Sequence, residues 1–138
     1  MEIKIQELIR TALKMKEGAY APYSNFSVGA AVQTGSGRII GGFNIENASF
    51  GATNCAERTA IFTALQQGEK EIKALAVVGD TDNYTYPCGI CRQVMVEFAE
   101  WEMPVIIAKN ETDYVVHTLS EILPGAFSKV DLERSKDV

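Results

Sequence analysis

Cys88 and Cys91 stand three residues apart behind Pro87 in the run Pro87-Cys88-Gly89-Ile90-Cys91-Arg92-Gln93. On a helix that starts at the first of them, this spacing points both sulfurs the same way, with Met95 and Phe98 continuing the face inward. Free backbone N–H groups and the positive end of the helix dipole stabilise thiolates at such a start, and thiolate is the form in which sulfur binds Zn²⁺. Cys55 is the only other cysteine and also stands where a helix opens. One Zn²⁺ held by Cys55, Cys88 and Cys91 would pin two helix starts together. Three protein ligands with water in an open fourth position make a catalytic zinc site, whereas four protein ligands make a structural one. Glu57, two residues beyond Cys55, would stand beside that water without binding the metal, as an acid/base group next to a metal-activated nucleophile.

The same residues have plainer readings. Asn54 to Glu57 has capping-box spacing, which would make Glu57 a helix cap. Cys88 and Cys91 alone could be a redox pair or two small buried apolar side chains. A thiol oxidoreductase would use that pair and dispense with Cys55. A structural zinc module would need a fourth protein ligand, and His117 is the sole histidine. Its place after alternating strand residues makes His117 peripheral. Arg58 and Arg92, each beside a motif residue, read as solvated charges or as donors of charge-assisted hydrogen bonds to sulfur.

The elements that position these residues follow from periodicity. Ile5, Leu8, Ile9, Ala12 and Leu13 predict an amphipathic helix stopped at Gly18. A loop with Pro22 and two tyrosines leads to Phe26–Thr34, and Gly35-Ser36-Gly37 turns the chain into Arg38–Asn47, a hairpin. Cys55–Gln67 predicts a second helix ending at Gly68. Ile72–Gly79 is a nearly continuous apolar strand, as in a sheet covered on both faces. A third helix runs from Cys88 to about Glu100, strands cover Pro104–Lys109 and Tyr114–His117, a short helix covers Leu119–Leu123, and the charged C-terminal residues fray. The order predicts an α/β fold with three layers, α/β/α, and a mixed five-stranded sheet.

At 138 residues, 46% of them apolar, the chain suits a single domain, residues 1–138, with a real core. An odd number of cysteines and no secretory signal point to a reducing cytoplasm, and no apolar run approaches a membrane span. A net charge of -5 argues against a nucleic-acid partner and for a small neutral or cationic substrate.

Five blocks together resemble the cytidine deaminase family: Tyr23-Ser24-Asn25-Phe26-Ser27-Val28-Gly29-Ala30-Ala31, Gly42-Phe43-Asn44-Ile45-Glu46-Asn47-Ala48, Cys55-Ala56-Glu57-Arg58-Thr59-Ala60, the Pro87–Gln93 run and Leu123-Pro124-Gly125-Ala126-Phe127. A glutamate followed by Pro-Cys-x-x-Cys is a known signature of zinc-dependent base deaminases. With Cys55 at the first ligand position, the chain is similar to the homotetrameric, three-cysteine branch. The resemblance implies one Zn²⁺ per subunit, with Glu57 carrying a proton from water to pyrimidine N3 and, in a second transfer, protonating the departing amine. It implies hydrolysis of cytidine or deoxycytidine, as in pyrimidine salvage, or of a related aminopyrimidine nucleoside such as a blasticidin-type antibiotic. Asn44 and Glu46 would clamp the ribose, Ile45 between them would be a further substrate-binding residue, and Phe26 and the backbone of Ala56 would hold the pyrimidine. Arg58, with Arg92 as a second candidate, would offset the charge of three thiolates. Phe127 would reach a neighbouring subunit's site. Phe50 departs from the tyrosine common at its position, so a hydrogen bond from that hydroxyl is absent here.

Overall fold

A computed structural model describes residues 1–136. Leu8, Ile9 and Ala12, at helical spacing, are fully buried along α1 (Ile5–Lys16). Strands β1 (Gly29–Thr34) and β2 (Ile39–Phe43) form the hairpin, and Gly37 takes φ +91° in its turn, where a side chain would be strained. Helix α2 (Ala56–Gln66) follows, then β3 (Ile72–Val78), α3 (Gly89–Phe98), β4 (Pro104–Ala108), β5 (Tyr114–Thr118), α4 (Leu119–Ile122) and α5 (Lys129–Lys136). Among the described residues the strands form one five-stranded sheet in the order β2-β1-β3-β4-β5, antiparallel except for β3 with β4. A parallel pair needs a long crossover, and α3 supplies it.

Alternation along the strands sorts side chains to two faces. Val32, Leu75, Val77, Val105 and Ile107 pack with Ala60, Ile61, Ala64, Cys91 and Met95 of α2 and α3. Ala31, Ala74, Ala76 and Ala108 meet Leu8, Ile9 and Ala12 of α1 on the other face. Small residues there let α1 lie close to the sheet, since a Cβ on Gly29 would stand 1.9 Å from the carbonyl oxygen of Ala12. These are the expected three layers. Burial of a Leu or Ile side chain such as Leu8 or Ile9 contributes about 1.5–3 kcal/mol.

Two boundaries differ from expectation in a way that matters. Cys55 and Cys88 are not first helical residues but N-caps in extended conformation, one step outside α2 and α3. Helix α5 occupies the tail expected to fray. Asp131 stands in its first turn and accepts a hydrogen bond from the Ser128 N–H at 2.8 Å, so local capping outweighs the tail's low apolar content. Asp137 and Val138 of that tail lie outside the described residues. Among those described, no helix is long and apolar enough to cross a membrane.

Candidate active site

Strand direction brings the cysteines together. Because β2 and β3 each run antiparallel to β1, both end at the same edge of the sheet. The helices after them, α2 and α3, therefore start side by side, in the crevice beyond the strands' carboxyl ends where α/β proteins hold ligands. Cys55 Sγ lies 3.7 Å from Cys88 Sγ across 33 residues, Cys88 Sγ lies 3.3 Å from Cys91 Sγ, and the three sulfurs fall within 4.8 Å of one another. None is in a disulfide. The cluster comprises these three residues alone among the described residues.

Its electrostatics favour thiolate at Cys55. A hydrogen bond with the Cys91 thiol, assisted by Arg58, lowers Cys55 to about 5, while the shared proton and burial push Cys91 far up. Arg58 Nη2 is 3.4 Å from Cys55 Sγ. Sulfurs close enough to share one ion, at two helix starts and beside a guanidinium, fit Zn²⁺ bound by three thiolates. Arg58 Nε and Thr85 Oγ1, which border this site, are buried without a hydrogen-bond partner, as expected where a ligand or water completes the structure.

Glu57, in the first turn of α2, is only 4% exposed, and burial raises its carboxyl to about 7. It is no capping residue. The α2 N-cap is Cys55, with no side-chain cap bond, and Asn54 instead donates to Thr59 Oγ1 at 3.0 Å. A buried carboxyl poised near neutrality can take and return a proton at ordinary pH.

These groups form one end of a pocket of about 310 Å³, where Cys55, Glu57 and Cys88 are joined by Ala56, Thr85 and Tyr86. The rest is lined by Ser24, Phe26, Val28, Asn44, Glu46 and Thr53. Asn44 is nearly buried. Its Oδ1 accepts from the Val28 N–H and its Nδ2 donates to the Phe26 carbonyl, both at 2.9 Å. Glu46 Oε1 accepts from the Tyr23 and Ser24 N–H groups at 2.9 and 3.1 Å, and Oε2 from the Ser24 hydroxyl. The Ser24 hydroxyl is the main reason the Glu46 carboxyl is held below its usual range. Both residues thus brace the Tyr23–Val28 loop, and each keeps hydrogen-bonding capacity for a ligand.

Residues 2–107 match the profile of the cytidine and deoxycytidylate deaminase zinc-binding region. The chain belongs to the cytidine and deoxycytidylate deaminase family. It is 50% identical to the cytidine deaminase of Halalkalibacterium halodurans over 92% of this chain and 96% of the relative, and 49% identical to that of Sporosarcina psychrophila over 93% and 94%. A crystal structure of cytidine deaminase from Burkholderia pseudomallei superposes with a TM-score of 0.85 at 46% identity, over 91% of this chain and all of that one. Family membership makes the chain a zinc-dependent hydrolytic enzyme, with one zinc per chain.

Within this deaminase the remaining expected residues divide. Phe26 and Ala56 line the pocket. Ile45 does not; it is 42% exposed, and its backbone exchanges hydrogen bonds with Asn54, tying the end of β2 to the approach of Cys55. The expectation for Arg92 is corrected. Its Nε donates to the Pro87 carbonyl at 2.8 Å and its Nη1 to the Ile122 carbonyl, because the α3 start faces the end of α4. Arg92 thus braces the cysteine loop, and Arg58 is the cation at the sulfurs. Phe127 is 61% exposed and outside its own chain's pocket. Phe50 is 76% exposed, edge-on to Tyr23 with ring centres 6.1 Å apart.

Sequence reasoning overlooked Ser24, Val28, Thr53, Thr85 and Tyr86 as lining residues. Closeness to Cys88 could have drawn attention to Thr85 and Tyr86, but nothing local marks Thr53. His117 is no zinc ligand either: its Nε2 lies 2.9 Å from the Tyr86 hydroxyl.

Proposed function

We propose that this chain hydrolyses cytidine and deoxycytidine to uridine and deoxyuridine in cytoplasmic pyrimidine salvage, its 138 residues working as one domain. The observation that carries the reading is a single pocket lined by Cys55, Glu57, Cys88, Asn44 and Glu46, beside which the three cysteine sulfurs converge. The relatives named above are cytidine deaminases, which supports the substrate. Cys55, Cys88 and Cys91 would hold Zn²⁺, which when bound supplies a Lewis acid that makes water a nucleophile near neutral pH.

The chain's own groups do the rest. Phe26 and Ala56 hold the pyrimidine, while Asn44 and Glu46 receive the ribose. The Glu46 carboxylate accepts from sugar hydroxyls and repels a nearby phosphate, which favours nucleoside over nucleotide. Glu57 takes one proton of the attacking water and places it on N3 as the C4–O bond forms, then carries the proton of the new C4 hydroxyl to the amine, so that the C4 carbonyl forms as the C4–N bond breaks and ammonia leaves. Arg58 donates to Cys55 Sγ and offsets the thiolate charge. Phe127 is exposed on its own chain, which supports a homotetramer in which it enters a neighbour's pocket.

Ultraviolet monitoring with cytidine, deoxycytidine, cytidine monophosphate and free cytosine tests this. Glu57→Ala is expected to keep its zinc and lose turnover by roughly 10²–10⁴ or more, and Phe127→Ala to raise KM. Near-normal turnover by Glu57→Ala, or activity on free cytosine alone, would refute the assignment.

A further inference from the structure

Between β3 and α3 the segment Tyr84-Thr85-Tyr86 runs as a strap into the cysteine loop, and both of its tyrosines are tethered at the hydroxyl. The Tyr84 hydroxyl donates to Asp113 Oδ1 at 2.5 Å, and Lys109 Nζ stands 4.5 Å over its ring. The Tyr86 hydroxyl meets His117 Nε2 on β5 at 2.9 Å, with the two rings 5.5 Å apart. His117 Nδ1 faces Glu121 Oε2 at 3.7 Å. A carboxylate on that side favours the tautomer with the proton on Nδ1, so Nε2 accepts and Tyr86 donates. Glu121 is itself fixed in the capping box of α4 with Thr118. These contacts form a chain from α4 to Tyr86, a residue that is itself 43% exposed.

Tyr86 lines the pocket and is separated from Cys88 by Pro87 alone. Pro87 is buried and its carbonyl is held by Arg92, so the backbone joining Tyr86 to the sulfur end is fixed. Glu57 reaches the same end from α2, whereas Tyr86 reaches it from the strap leading into α3. On the deaminase reading above, C4 of the pyrimidine sits at this end and Glu57 serves N3. The other ring neighbour of C4 is C5, and the Tyr86 side of the pocket is left to face it.

We infer that Tyr86, positioned by His117, is a specificity-determining wall of the pocket that restricts substituents at C5 of the pyrimidine. The inference rests on the proposed nucleoside deamination and adds a selectivity to it. Nothing covalent is asked of either residue. Tyr86 supplies a surface, and His117 acts only through Tyr86.

The test compares cytidine with 5-methylcytidine in kcat/KM, and uridine with 5-methyluridine in equilibrium binding by calorimetry, using the zinc-loaded full chain. A single methyl group in a close-fitting pocket changes selectivity by roughly 10–200-fold, and wild type should disfavour the methylated member of each pair by about 10-fold or more on that scale. Tyr86→Ser should bring both ratios close to one. His117→Phe should relax them part of the way, and His117→Gln, which can still accept from the Tyr86 hydroxyl, should restore them. Ratios unchanged in Tyr86→Ser, with only a loss of thermal stability, would show that the Tyr86 and His117 pair is a surface strut and would overturn the inference. Absence of cytidine turnover by wild type would instead sink the deaminase reading, while the binding ratios would still decide the role of Tyr86.

Discussion

Replacing Gly42 by Ala adds one methyl group where β2 passes beneath the start of α2. That Cβ would stand 2.4 Å from the Ala60 nitrogen, 2.8 Å from the Ala56 carbonyl oxygen and 3.0 Å from the Ala60 Cα, whereas ordinary contact begins near 3.4 Å. All three obstacles are backbone, so no side chain can swing aside, and α2 must retreat by about 1 Å, enough to forfeit much of the dispersion energy along the seam. Overpacking of this kind costs typically 1–3 kcal/mol, and with backbone as the obstruction Gly42→Ala should cost no less than the middle of that range, about 2 kcal/mol. A domain of this length has an unfolding entropy near ~0.3 kcal/mol per kelvin, so Tm should fall by about 7 °C. Thermal unfolding followed by circular dichroism, at equal protein and zinc concentrations, measures the shift. Gly51→Ala is the control, because a Cβ there meets nothing within 4 Å. Since α2 carries Glu57 and is capped by Cys55, the variant should also lose turnover, by as much as about 10²-fold for a 1 Å displacement. A Tm within about 1 °C of wild type together with full turnover would refute the packing argument.

Other expectations concern charge. Glu46 has its carboxyl lowered by the Ser24 hydroxyl and the Ser24 and Tyr23 N–H groups, so its hold on the loop is present above the ordinary carboxylate pKa and is lost as pH falls through the lowered value. Uridine binding by wild type should therefore weaken on the acid side. Glu46→Gln should bind more weakly at pH 7, and equal affinity in the two proteins would remove Glu46 from the sugar end. Glu57 has the opposite sign, since its carboxyl is raised to about 7, so the folded metal-free protein loses stability as pH rises from about 4.5 to 7. In metal-free protein Glu57→Gln should stabilise by about 3 kcal/mol at pH 8 and by little at pH 4, since each tenfold difference in proton affinity is worth about 1.4 kcal/mol. Equal unfolding midpoints of the two proteins at both pH values would contradict the burial argument. Arg58→Ala should retain zinc and show a displaced pH profile of turnover, and an unchanged profile would show that the Arg58 contact with Cys55 does not tune the site.

The outline of the sheet and helices was legible because local periodicity encodes it. Val105 and Ile107 face α3 while Ile106 faces α1 whatever surrounds them, and Gly68, at φ +92°, marks the end of α2 by backbone chemistry alone. Arg92 was misjudged because its neighbour in sequence is a cysteine while its neighbours in space include Ile122, 30 residues away. The contact between Tyr86 and His117, 31 residues apart, was invisible for the same reason.

The sequence by itself determined the chemical inventory: three cysteines, a glutamate two residues past one of them, and apolar patterns that make each a neighbour of a helix start. Only the tertiary structure decided that Cys55 and Cys88 meet at 3.7 Å, that Glu57 is buried rather than capping, and which arginine reaches sulfur. Spacing along a chain sets direction within one element, but separation between elements depends on strand order and on how closely layers approach. Here β1 lies between β2 and β3, and Gly42 lets α2 settle onto the sheet, so the two helix starts come within reach of one ion.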